Sequence, residues 1–157
     1  GIDMLQYPED LGTQTSSIIS PEFFRKYVVP SYTRLMAPAK KANVIVHMHS
    51  DGYLMNIIED ILSCGVDVIN LQDLVNGIDN IRKTLKDRVA IDLDIDRQNI
   101  TRFGTPKDIN DHIKECVMKL GNQKGGLSLA CGIYPGIPIK NIAAIMDALE
   151  KYSLYYS

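Results

Sequence analysis

Hydrophobic and polar positions along this chain follow two periods. Five short stretches tend to alternate every second residue, as half-buried strands do: "IDMLQY" (2–7), "NVIVHMH" (43–49), "VDVINLQ" (66–72), "RVAIDLDID" (88–96) and "GGLSLACG" (125–132). The stretches between them space apolar residues by three or four, as amphipathic helices do. These are 20–42, 53–65, 76–87, 105–121 and 137–153. Helix punctuation agrees with this division. Ser20 precedes Pro21, and Thr105 precedes Pro106, each pair reading as an N-cap and a first-turn proline. Gly65 and Gly121 close the second and fourth helices. Pro30 must kink or divide the first one. In the last, Ile142, Ile145, Met146 and Leu149 form one apolar stripe. The six methionines read as core filling.

Strands alternating with helices predict βαβ units and a parallel sheet. In a doubly wound sheet, strands covered on both faces are nearly continuous in apolar residues. Here Val89, Ile91, Leu93 and Ile95 share one face, and Asp92, Asp94 and Asp96 the other. Val44, Val46, Met48 and Ser50 oppose Ile45, His47, His49 and Asp51, and Asn70 shares a face with Gln72. One apolar face, and one turning polar toward the strand's C-terminal end, fit a (β/α) barrel. A full eight-stranded barrel needs roughly 200 residues or more, and this chain has 157. The expected fold is therefore α/β: the C-terminal portion of a TIM (β/α)8-type barrel, with about five βα units. Residues 1–157 would form a single-domain fragment. The start at "GIDMLQY", without Met, reads as a cut chain.

Composition narrows the function classes. A net charge of -2 gives no electrostatic case for nucleic acid or an anionic membrane. No apolar run approaches the ~20 residues of a membrane span, and no signal peptide is evident. Cys64, Cys116 and Cys131 are few, odd in number and widely spaced, which fits a reducing cytoplasm. Neither GxGxxG nor a Walker loop occurs.

Several motifs resemble the uroporphyrinogen decarboxylase superfamily. They are "EDLGTQTSSIISPEFFRKYVVPSYTRL", "HMHSDG", "GVDVINLQD", "FGTPKDI" and "GGLSLACGIYPGIPIKNI", in the family's order and spanning nearly the whole chain. The resemblance implies a distorted TIM barrel with its site at the strands' C-terminal ends. The superfamily includes the haem-pathway decarboxylase and zinc-using, corrinoid-dependent methyltransferases. The decarboxylase's histidine in a Gly-His-Gly-like turn is replaced by Cys131 in "ACG". The methyltransferases' His-x-Cys pair reads His49-Ser50-Asp51, and their later cysteine matches Cys131. The resemblance thus implies a metal held by His49, Asp51 and Cys131, and a chain nearer the methyltransferase branch. Three protein ligands and one open position describe catalytic zinc, which lowers the pKa of a substrate thiol. A carboxylate in place of a thiolate hardens the site and leaves the metal's identity open.

Bland readings stand beside these. Asp51 also suits the N-cap of the helix near Tyr53. Cys131 suits a small buried apolar residue, because its strand phase falls with Leu127 and Leu129. His112, in "DINDHIKEC", reads as a solvated or half-buried helix residue. Glu9 and Asp10 are placed by the resemblance at the mouth, as base, ligand or substrate acceptor. Asp92 and Asp94 line an inward face and are candidate catalytic groups. His47 reads as a supporting or substrate-binding residue. Arg97 either pairs with these aspartates or grips a substrate carboxylate, and Tyr134 is a candidate lining residue.

Three functions are expected. The first is a metal-assisted methyltransferase, using zinc and a corrinoid carried by a partner protein. The second is a decarboxylase of a porphyrinogen or other polycarboxylate, needing no cofactor. The third is a silent barrel fragment. In each case the exposed sheet edges predict completion by further strands or self-association, and the isolated chain is expected to be inactive.

Overall fold

A computed structural model describes residues 1–156. Five strands form one sheet: β1 (Met4–Glu9), β2 (Ile45–Ser50), β3 (Val68–Gln72), β4 (Ala90–Asp94) and β5 (Leu127–Ala130). All neighbours are parallel and the order is β1-β2-β3-β4-β5. Sequential parallel strands with helical crossovers are the connectivity of a (β/α) barrel. β1 and β5 are the two edges of the open sheet.

The apolar face of the strands carries the core. Val46, Met48, Ile69, Leu71, Ile91 and Leu93 are buried against helical residues such as Ile61, Ile81, Ile113 and Ile145. Helices α1 (Pro21–Phe23), α2 (Val29–Lys41), α3 (Ile58–Ser63), α4 (Asp73–Asn76), α5 (Ile78–Leu85), α6 (Ile100–Phe103), α7 (Pro106–Leu120) and α8 (Ile139–Tyr152) complete the described elements.

The predicted punctuation is present, with differences. Ser20 caps Phe23 N, and Thr105 forms a capping box with Asp108. Pro30 does divide the first helix. A π-turn over Phe24–Val28 separates α1 from α2, and Pro30 sits in the first turn of α2, where its missing N–H leaves no gap. The second helix is shorter than its pattern, because Leu54 N donates to Asn76 Oδ1 and holds the preceding segment as a loop. The stripe predicted on α8 is rotated: Asn141, Ile145, Ala148 and Tyr152 are buried, while Met146 is 62% exposed. Met36 and Met48 fill the core, but Met4 and Met118 are exposed. The C-terminal tyrosines pack edge to face, Tyr152 on Tyr155 and Tyr155 on Tyr156. Ser157, the last residue of the predicted tail, lies outside the described residues. No helix among the described residues is long and apolar enough to cross a membrane.

Candidate functional site

Register sets out the opposite face of the sheet. Pro8, His49, Asn70, Asp92 and Ser128 stand at one level across all five strands. Gln72, Asp94 and Ala130 stand one step higher, toward the C-terminal ends. Since side chains point to one face at every second residue, both levels share that face.

Hydrogen bonds join the lower level into a row. Asn70 Nδ2 donates to the carbonyl of Asp92 at 2.8 Å and to its Oδ2 at 3.1 Å. Ser128 Oγ donates to Asp92 Oδ1 at 2.8 Å, and His47 Nε2 lies 3.3 Å from Asp92 Oδ2. Because the Asn70 amide nitrogen is directed at Asp92, its Oδ1 faces His49 Nδ1, with which it is hydrogen-bonded. That oxygen can only accept, so His49 Nδ1 carries the proton and donates. Nε2, the other ring nitrogen, is thereby turned toward the mouth.

Two carboxylates converge on that nitrogen. Asp10 Oδ1 is 3.8 Å and Asp51 Oδ1 3.9 Å from His49 Nε2. The ligand atoms of Asp10, His49 and Asp51 all lie within 4.8 Å of one another. Asp51 Oδ1 is buried without a hydrogen-bond partner, whereas its Oδ2 accepts from Arg97 at 2.5 Å. A buried carboxylate oxygen without a hydrogen-bond partner is unfavourable, and a cation bound between Asp10, Asp51 and His49 Nε2 would satisfy it. Imidazole with two carboxylates is a donor set that zinc or a harder divalent ion accepts. The residues therefore fit a metal.

Backbone close packing fixes this cluster. Gly12 N donates to the Asp51 carbonyl, and Tyr53 N to the Thr13 carbonyl. A Cβ on Gly52, whose φ is +85°, would stand 2.2 Å from the Gly12 backbone, so the two loops meet only as glycines. Gln72 Oε1 accepts from Gly52 N, and Asn76 Nδ2 donates to the Gly52 carbonyl.

The remaining predicted site residues separate into two groups. Asp94 and Arg97 are at the mouth, joined at 2.7 Å, and Arg97 stacks over the Tyr134 ring at 5.3 Å. Burial pushes the Asp94 carboxyl above its ordinary range, with Arg97 opposing. Arg97 is thus the partner of Asp51 and Asp94, rather than a free grip for a substrate carboxylate. Asp51 caps no helix, since α3 begins only at Ile58. Glu9 shares the outer face with Leu5 and Tyr7 and lies beside Tyr32, away from Asp10. Cys131 follows the end of β5 and packs against the apolar core. It is not part of the Asp10–His49–Asp51 group. Burial and the nearby Asp94, Asp73 and Asp96 push its thiol up to about 11, against the pull of Arg97. His112 is neither solvated nor half-buried: it is 7% exposed, with Nε2 2.6 Å from Asp73 Oδ2.

Sequence reasoning placed Asn70 on the polar face without giving it a role, and passed over Ser128. The signal for Asn70 was its level opposite His49, which only the pairing register supplies.

A family model described as uroporphyrinogen decarboxylase (URO-D) matches residues 1–152. The chain belongs to the URO-D family. It is 25% identical over 137 residues to a methylated-thiol–coenzyme M methyltransferase of Methanosarcina mazei, covering 87% of this chain and 35% of that protein. It is 26% identical over 155 residues to a uroporphyrinogen decarboxylase of Synechococcus sp., covering 92% and 42%. It is 25% identical over 137 residues to the methylcobamide:CoM methyltransferase MtaA of Methanosarcina barkeri, covering 86% and 38%. The chain thus spans about two fifths of the length of these relatives. The family's fold is the TIM barrel, and the five parallel strands are part of one. The relatives divide between decarboxylases and methyltransferases at similar identity, so family membership alone selects neither.

Proposed function

We propose that this chain carries the cation-binding part of a metal-assisted methyltransferase of the URO-D family. The observation that carries this reading is the convergence of His49 Nε2, Asp10 and Asp51, whose Oδ1 has no hydrogen-bond partner. Zinc or a harder divalent ion, when bound, would lower the pKa of a small nucleophile such as a thiol, so that it accepts a methyl group. His49, Asp51 and Asp10 would hold that ion. Cys131 is a fourth candidate, on its match to the later cysteine of the methyltransferases. Asn70 holds the His49 ring with Nε2 toward the mouth, as supporting hydrogen bonds do around metal-ligating histidines. Arg97 fixes Asp51 and places Tyr134 at the rim. A corrinoid on a partner protein is the proposed methyl source, and a reducing cytoplasm the proposed setting for three free cysteines.

Electrostatics favours this over the decarboxylase reading. Asp10, Asp51, Asp92 and Asp94 populate this face of the sheet, and Arg97, which contacts two of them, is already paired. A polycarboxylate substrate would meet net negative charge from this portion of the barrel. Decarboxylation remains the alternative, because relatives named uroporphyrinogen decarboxylase match equally well.

The test is titration of the metal-free chain with Mn2+, followed by electron paramagnetic resonance. One ion should bind in the wild type, and His49→Ala should weaken it at least tenfold. Equal binding by both would overturn the reading. Release of carbon dioxide from a porphyrinogen by metal-free protein would establish the alternative.

A further inference from the structure

A second histidine–carboxylate group lies on the other side of the sheet. Asp73 follows β3 and is fully buried, and its neighbour His112 and the thiol of Cys116 stand on α7. His112 and Cys116 are four residues apart, so they project from one helical face. Asp73 Oδ2 lies 2.6 Å from His112 Nε2, and Cys116 Sγ lies 3.8 Å from the same nitrogen. Ligand atoms of all three are within 4.8 Å of one another.

A nucleophilic Cys–His–Asp relay is excluded by the atoms. In such a relay the base uses one ring nitrogen for the nucleophile and the other for the carboxylate. Here thiol and carboxylate both address Nε2. Burial, then Asp73, also push the Cys116 thiol upward, leaving it unreactive.

The same convergence on one point suits a metal. Ligand bonds of about 2.0–2.1 Å to nitrogen and about 2.3 Å to sulfur put the two atoms about 3.6 Å apart around a tetrahedral ion. The observed 3.8 Å is close to that. The His112–Asp73 contact would have to open by less than about 1 Å. Asp73 is already oriented by backbone donors, Leu74 N to Oδ1 and Asp96 N to Oδ2 at 3.1 Å. Supporting bonds of this kind orient metal-ligating carboxylates.

We propose that Asp73, His112 and Cys116 form a second, structural site for a thiophilic divalent cation such as Zn2+ or Co2+. The ion would clamp α7 to the C-terminal ends of β3 and β4. Binding releases the Cys116 thiol proton and needs the neutral His112 ring to carry its single proton on Nδ1, leaving Nε2 for the ion, and no electron is transferred. Since the site is buried, the ion enters during folding or through local opening of α7.

The test is refolding the 157-residue chain with Co2+, which reports sulfur ligation as a near-ultraviolet thiolate-to-cobalt band. Expected is a band that persists in Cys131→Ser, and that adding Cys116→Ser to that variant abolishes. Zn2+ should raise Tm of His49→Ala, but not of the double variant His49→Ala with His112→Gln. Should Cys116→Ser fail to fold, zinc-edge X-ray absorption of the Cys131→Ser protein decides, with one sulfur neighbour expected. No band in the wild type, a band lost only in Cys131→Ser, or no sulfur at the zinc edge would each overturn the proposal. Mn2+ binding at His49 is read separately, so either site can fail without the other.

Discussion

The two faces of strands β2–β4 come from the same residues taken alternately, yet they follow different rules. On the outer face Met48, Ile69, Leu71 and Leu93 are wholly buried, and burial alone accounts for their contribution. Buried Asp73, at the end of β3, is tolerated there because three donors reach it: His112, Leu74 N and Asp96 N. On the inner face the polar side chains are neither dry nor fully satisfied. Asp51 Oδ1 and His47 Nδ1 have no partner. Inner-face polar groups leave capacity for a ligand as they stand, whereas an ion at Asp73 would have to open the existing contact with His112.

That difference can be broken or sharpened by substitution. The largest effect is expected on the outer face. Leu93→Ala should lose about 2–5 kcal/mol of stability, as deletion of a fully buried leucine does. Denaturant unfolding measures it, and a loss under about 1 kcal/mol would mean that the outer face is not the load of the fold.

A smaller stability change, but a larger change in binding, is expected for Asn70→Leu. It removes the bonds to His49 and Asp92, at about 1–2 kcal/mol. It also frees the His49 ring to turn, so divalent-ion affinity should fall about 10–100-fold. Calorimetric titration at one pH, set beside the unfolding curve, separates the two. Unchanged affinity would remove Asn70 from the site.

The smallest effect concerns Cys131. Its thiol is pushed up to about 11 in the folded chain, mainly by burial, against about 8.5 for a free cysteine. A folded value above the unfolded one favours the native state below about pH 8.5. That contribution then fades as pH rises toward 11. Alkylation by iodoacetamide at pH 8 should be slower at Cys131 than at a free thiol, and should accelerate toward pH 11. If saturating metal moves that profile to lower pH, Cys131 joins the metal at the mouth. A profile indifferent to metal leaves the ion to Asp10, His49 and Asp51.

How much of this was legible follows from period and range. Alternation along "VAIDLDID" correctly separated Leu93 from Asp92 and Asp94, because strand phase is a local property. Caps at Ser20 and Thr105 were readable for the same reason, their partners lying three residues away. His49 and Asp51 were found together, since two residues on one strand share a face. Glu9 was misplaced beside Asp10, although adjacent residues point to opposite faces. Cys131 was grouped with His49 by resemblance, while its strand phase already pointed toward the core where it packs.

The sequence by itself determined which segments are strands and helices, which strand face is apolar, and that His49 and Asp51 stand two residues apart at the end of one strand. Those are consequences of neighbours within a few positions. Only the tertiary structure decided that Asn70 turns the His49 ring, that of Glu9 and Asp10 only Asp10 stands beside His49, and that Arg97 is spent on Asp51 and Asp94. It also decided that His112 meets Asp73 across 39 residues. Each of these depends on strand register and helix docking. A shift of one residue in strand register would exchange the two faces of that strand and leave every local pattern unchanged.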